Sequence, residues 1–356
     1  MHIKYTDSND VYSRVIFNEE ANTFRLCGEH SNFLEYNPVL KLDSEYQTQK
    51  FSYLLLANES PACTENSIYQ VYVGKQRIGW IFPLQALLSE EHDQSKNPYF
   101  LKYAYVALCL LLQDVEEIDK REMPGEFFLE DYYDPKQSIL VIDGENTAKL
   151  DSFLLENYIV GLFQYGYAFK GKGNIWAERL PIETQSKITL KALSPELSAV
   201  PNINFLFKEQ LPVAENEVIR FYLCYQIIEL LIAVVFEDQF QSILAKISED
   251  SEALFDQRDN LSKISSEKHR IKILFSNYVS CETVHQTDLD LACKKLLDIN
   301  GKAVSSQYYE NLYSVRCLLV HRLYTLSADS YDILQDINKP FLNVIMDILF
   351  SFKKPT

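Results

Sequence analysis

The sequence predicts an α+β protein, with a mixed α+β domain over residues 1–200 followed by an all-helical domain over 201–356. Three observations predict it. Segments that alternate apolar and polar residues, the period of a half-buried strand, are confined to the first half. Long stretches with apolar residues at helical spacing fill the second. Between them SPELSAVPNINF (194–205), with two prolines and a polar mix, marks a change of character. A length of 356 residues, at ~100–200 residues per domain, also argues for two domains.

In chain order, SIYQVYVGKQRIGWIFP (67–83) alternates on both sides of Gly74-Lys75-Gln76 and reads as a β-hairpin. SILVIDG (138–144) and KITLKAL (187–193) are further strands. LKYAYVALCLLLQDVEEI (101–118) and LDSFLLENYIVGLFQYGYAF (150–169) are apolar enough to be buried helices. GKGN (171–174) follows a helix rather than a strand, so it reads as a turn and not a phosphate loop. The second half opens with a long apolar helix over 215–247. A polar stretch ending in KHRIKILFSNYV follows, then a helix over 288–301 with Gly301 as its stop. Two more helices, about 304–327 and 330–352, close the chain.

With 47% hydrophobic and 24% charged residues, the composition is that of a soluble globular protein. Net charge is 34 − 50 = −16, a sign that opposes nucleic-acid binding. The acidity is unevenly placed: residues 1–200 contribute 18 − 29 = −11 and residues 201–356 contribute 16 − 21 = −5, so RNA is not excluded as a partner of the second half. The cluster at 113–134 lacks metal-loop spacing and reads as a solvated or partner-binding surface. Seven cysteines (27, 63, 109, 224, 281, 293 and 317) form an odd, widely spaced set without zinc-finger spacing, which reads as reduced thiols. The N-terminus carries no secretory pattern, and the longest apolar stretch, Phe221 to Phe236, falls short of the ~20 residues of a bilayer span. A cytoplasmic chain without membrane association, metal or cofactor is expected.

The penultimate helix, SSQYYENLYSVRCLLVHRLYTL (305–326), carries Arg316 and His321 with four residues between them. At about 100° per residue Leu312, Val315, Leu319, Leu323 and Leu326 make a core stripe. Tyr313, Cys317, Val320 and Tyr324 make a second, semi-apolar stripe, flanked by Arg316 on one side and His321 on the other. A helix with two buried faces needs two partners, and another copy of the chain is expected as the second.

An Arg-x4-His motif on a late helix, with Tyr313 three residues before Arg316, in a helical domain opened by a long apolar helix, resembles the HEPN superfamily over about 215–352. The resemblance implies a helical bundle that dimerises so that two motifs face one another in a metal-independent endoribonuclease site. It implies Arg316 and His321 as catalytic residues, with Tyr313 and Cys317 in support. Glu229, mid-helix in RFYLCYQIIELLIAVVF, matches the family's supporting acidic residue, either as a structural ion-pair partner or as an orienter of Arg316 or His321. Cys317 departs from the family, where the residue after the arginine is commonly polar.

The residue types suit the chemistry independently. Histidine, with an unperturbed pKa of ~6.5, shuttles protons near neutrality. A guanidinium fork matches the phosphate whose charge grows on attack. KISSEKHRIKI (263–273) gathers Lys263, Lys268, His269, Arg270 and Lys272, a patch able to track RNA phosphates or simply a solvated helix face. By the resemblance such domains serve toxin, abortive-infection and anti-phage defence systems. The first 200 residues would then be a sensor or regulatory module where a trigger or antitoxin acts. The alternative is a non-catalytic HEPN-like dimerisation module that binds RNA or a protein.

Overall fold

A computed structural model of the chain describes residues 12–18, 23–28, 33–36, 51–57, 63–88, 92–94, 97, 99–100, 103–104, 107, 137–169, 187–249, 254–326 and 328–355. The protein is α+β, with strands in the first half and helices in the second. The acidic cluster at 113–134 and GKGN lie outside the described residues. So does the helix expected over 101–118, apart from Tyr103, Ala104 and Ala107, which are helical.

The chain divides into two compact units. One takes the described residues up to Leu154 together with 165–169 and 187–190; the other takes Leu155–Gln164 and everything from Lys191. In the first unit β1 (Tyr12–Asn18), β2 (Thr23–Gly28) and β3 (Phe33–Tyr36) form an antiparallel sheet in that order. A second sheet joins β4 (Phe51–Ala57), β5 (Tyr69–Val73), β6 (Gln76–Pro83), β7 (Gln137–Asp143) and β8 (Lys187–Leu190) in the order β4-β7-β6-β5-β8. Only the β5–β8 pair is parallel. The expected hairpin is β5–β6, closed by Gly74 and Lys75 with Val73 opposite Gln76. Leu56, Val71, Ile78, Ile81, Phe82 and the run Ile139–Ile142 are buried, and this is the core of the unit. Gly79 stands where β6 approaches β7: a Cβ there would lie 1.8 Å from the Val141 carbonyl oxygen, so no other residue fits that register. Short helices α1 (Gln85–Leu88) and α2 (Gly144–Thr147) follow β6 and β7, the latter capped by Asp143 accepting from the Glu145 and Asn146 amides.

The helix expected over 150–169 is shorter than its apolar pattern. Only a 3₁₀ turn, Leu155–Tyr158, and α3 (Ile159–Gln164) form, between positive-φ residues Ser152 and Gly166. Within the proline-marked stretch α4 (Pro201–Phe205) forms with proline at its first turn, where a missing N–H costs nothing. It runs on through a π-turn, Leu206–Gln210.

The helical unit is built on α5 (Glu217–Glu249), followed by α6 (Leu254–Ser265), α7 (Glu267–Ile273), α8 (Thr283–Ile299), α9 (Tyr308–Arg322) and α10 (Ala328–Ser351). Helix α8 packs on α9 and α10, α10 on α5, and α7 against both α5 and α9. By length and composition α5 alone among the described residues could cross a membrane, yet Phe221, Cys224, Tyr225, Ile228, Leu231, Ile232 and Val235 fill the core of this unit. Its N-terminus is fixed by buried Arg220, which donates to the Ala214 carbonyl at 2.6 Å and to Glu217 at 2.7 Å. Asn338 of α10 donates to the other Glu217 oxygen at 2.6 Å, locking α5 to α10. Burial pushes the Arg220 guanidinium down from its ordinary pKa and Glu217 opposes it.

Candidate functional site

Helix α9 carries the motif, and a polar loop sets where it starts. Buried Asn311 accepts from the Ser305 amide at 2.7 Å and donates to Asp290 of α8 at 2.7 Å, while the Ser305 hydroxyl donates to Glu310 at 2.7 Å. Leu312, Val315, Leu318 and Leu319 then bury one side of the helix. The opposite side leaves Val320 and His321 exposed, with Tyr313, Arg316 and Cys317 half-buried, and Tyr324 in the 3₁₀ turn that follows is exposed as well.

Arg316 is the centre of a polar cluster between α5, α7 and α9. Its Nη2 donates to Glu229 Oε1 at 2.9 Å, and its guanidinium carbon lies 5.6 Å from the ring centre of Tyr225, within cation–π range. The arginine side chain keeps 20% of its surface in solvent and the glutamate 44%, so the pair is reachable from solvent. Burial works against the arginine's charge, but the Glu229 hydrogen bond and the field of Glu267 outweigh it and hold the guanidinium above its ordinary pKa.

Tyr313 and Cys317, one turn apart, are linked by a side-chain hydrogen bond. Burial first, then that bond, pushes the Tyr313 phenol up to about 12. The Tyr225 hydroxyl is buried without a hydrogen-bond partner, as are Glu267 Oε1 and Arg270 Nε. Burial, with the field of Glu267, raises the Tyr225 pKa.

Thus four of the five motif residues expected from the sequence, Glu229, Tyr313, Arg316 and Cys317, meet in one cluster. His321 does not join them within one chain. It lies five residues beyond Arg316, about 140° around the helix, and is exposed. A single chain therefore supplies an oriented arginine and a solvent-facing imidazole, not an acid–base pair.

The basic patch is partly spoken for. Lys268 pairs with Glu310 at 3.3 Å, and Arg270 stacks over Phe236 at 5.4 Å. Lys263 and Lys272 are exposed. Sequence reasoning missed Tyr225 and Glu267. Both sit at ordinary helical positions, and only the packing of α5 and α7 around α9 brings them to Arg316.

Glu282, His285 and Asp347 offer ligand atoms within 4.8 Å of one another, the one such group among the described residues. Asp347 Oδ2 already accepts from the Glu282 amide at 2.9 Å and lies 2.6 Å from His285 Nδ1. The cluster thereby anchors the N-terminus of α8 to α10. No protein-family model, curated protein or solved structure matches the chain.

Proposed function

We propose that the helical unit supplies half of a dimeric, metal-independent endoribonuclease site of the HEPN type. The observation that supports this reading is the state of Arg316: a guanidinium fixed between Glu229 and Tyr225 yet partly open to solvent, five residues before exposed His321 on the same helix. A pre-oriented guanidinium is what a pentacovalent phosphate requires, because its charge is met without reorganisation. The exposed edge formed by Val320, His321 and Tyr324 gives a second copy a surface on which two motifs could face each other.

In that arrangement His321 removes the 2′-hydroxyl proton and the 2′-oxygen attacks phosphorus. Arg316 holds the phosphate oxygens, the P–O5′ bond breaks, and the partner subunit's His321 protonates the leaving 5′-oxygen. The products are a 2′,3′-cyclic phosphate and a 5′-hydroxyl. Growth arrest by RNA degradation, in a toxin or anti-phage defence setting, is the biology such a site would serve. The N-terminal sheets would be the place where a trigger or antitoxin acts.

One observation favours the second reading, a non-catalytic module that dimerises and binds RNA or a protein. Within one chain the charge of Arg316 is set against both Glu229 and Glu267, which leaves little net attraction for a phosphate.

Comparison of the wild type with Arg316→Ala and His321→Ala separates the two. The nuclease reading expects RNA cleavage in EDTA, ending in 2′,3′-cyclic phosphate, to fall by at least ~100-fold in either variant, the scale of a lost general acid–base. Cleavage or cellular toxicity equal in all three proteins overturns it.

A further inference from the structure

Beside the Arg316–Glu229 pair, a cavity of about 410 Å³ opens between α4 with its π-turn and the middle of α5. Its volume lies in the range of small-molecule sites, ~300–1,000 Å³. Buried Ile203, Leu206 and Ile227 give it an apolar floor. Its polar lining is unusual in composition: the amides of Asn202, Gln210 and Gln226, and one carboxylate, that of Glu229. Phe205 also lines it while leaving 55% of its surface in solvent, a large aromatic face with no role in the core. Glu229 belongs to both places, since one of its oxygens holds Arg316 and the residue also lines the cavity.

An apolar floor, an exposed aromatic ring and several amides suit a flat heterocycle with alternating donors and acceptors on its edge, as in single-stranded RNA recognition. The carboxylate decides which one. Ionised, it can only accept hydrogen bonds. Adenine, cytosine and uracil each place a ring or carbonyl acceptor next to their donors on the Watson–Crick edge. Guanine alone presents two adjacent donors, N1–H and N2–H, and leaves O6 and N7 as acceptors for amide NH2 groups.

We propose that this cavity is a guanine-binding subsite, with the base stacked on Phe205 and its N1–H and N2–H donated to Glu229. The proposal rests on the RNA-cleaving reading for its biological substrate, and it adds a coupling. A guanine that engages Glu229 takes up part of the carboxylate's charge, so that Arg316, still oriented over Tyr225, is less neutralised and can attract the phosphate of the same nucleotide. Base recognition and phosphate binding are then one event, and the neutralising ion pair serves to keep Arg316 occupied until the right base arrives.

The test uses the full chain and free nucleosides, which carry no phosphate and need no cleavage to bind. Calorimetric titration should show guanosine binding roughly tenfold or more tightly than adenosine, cytidine or uridine, the discrimination expected of a bidentate contact. Glu229→Gln should remove that preference, because an amide offers a donor where guanine also donates. Phe205→Ala, at an exposed position, should weaken guanosine binding while leaving the melting temperature unchanged. Equal affinity for the four nucleosides, or no binding of any, overturns the proposal. Selective guanosine binding by a protein that cleaves no RNA upholds the subsite and removes the nuclease. Cleavage that depends on Arg316 and His321 but ignores the base, with no nucleoside bound, does the reverse.

Discussion

At the scale of single residues, Arg316 shows how one side chain can be restrained and still be available. An ion pair screened by solvent contributes only ~0–1 kcal/mol to stability, and with 44% of Glu229 in solvent the contact orients the guanidinium more than it stabilises the fold. Tyr313 is the residue whose titration reports on this cluster. Its phenol is pushed up to about 12, first by burial and then by its bond to Cys317. A raised pKa means that the folded state retains the proton after the unfolded chain has lost it. The stabilisation is therefore complete below the ordinary tyrosine value near 10 and is lost as pH climbs through 12. Tyr278 behaves alike: burial and its donation to Asp238 bring it to about 12. Urea unfolding of the wild type and Tyr313→Phe at pH 8 and pH 11 isolates the Tyr313 contribution, since other groups titrate in both proteins. The wild type should lose more of its midpoint than the variant over that interval; parallel losses would show that Tyr313 titrates as a solvent tyrosine.

At the scale of elements, the long helices of the second half are legible as helices, while their ends are not, with one exception. Gly301 was expected as a stop, and it stops α8 by a Schellman motif: the Lys302 amide donates to the Leu297 carbonyl at 2.8 Å and the Gly301 amide to Asp298 at 3.0 Å, with Gly301 at φ +62°. An added Cβ would meet nothing within 4 Å, so the only penalty of a side chain is the left-handed backbone. Gly301→Ala should cost about 1 kcal/mol, seen as a lower melting temperature with an unchanged urea m-value; a larger loss would mean that α8 and the loop to α9 unfold together. The 150–169 segment reads as one helix because its apolar residues continue through Ser152 and Gly166, where the backbone turns left-handed. Strands β1 to β4 were not legible either, because neither a hairpin turn signal nor a clean alternation marks them. In the site, the motif on α9 and Glu229 on α5 could be named from the sequence. Glu267 and the cavity could not, since they depend on which turns of α7 and α4 come to rest beside α5.

At the scale of the whole molecule, the chain's two units are not two consecutive halves. Leu155–Gln164 belongs with the helices from Lys191 onward, and the reasons are specific. Gly161 lets the α3 backbone come so close that a Cβ there would lie 2.6 Å from the Lys191 carbonyl oxygen, and the Leu193 amide donates to Asn157 at 2.8 Å. Phe163 meets Phe207 edge to face at 5.2 Å. Further along, the Ser194 amide donates to the Leu349 carbonyl at 2.9 Å and the Ser194 hydroxyl to the Phe352 carbonyl at 2.5 Å, tying the segment before α4 to the end of α10. Ile159, Leu162 and Phe163 are each at most 2% exposed, and full burial of such side chains is worth ~1.5–3 kcal/mol apiece. A fragment starting at residue 201 discards all of these contacts and uncovers Phe207 at the base of α4, next to the proposed guanine subsite. A fragment starting at residue 155 keeps them. The longer fragment should unfold cooperatively at a higher urea concentration, by several kcal/mol, and should retain guanosine binding that the shorter one loses. Equal midpoints for the two would place α3 outside the cooperative core of the helical unit and leave the cavity framed by α4 and α5 alone.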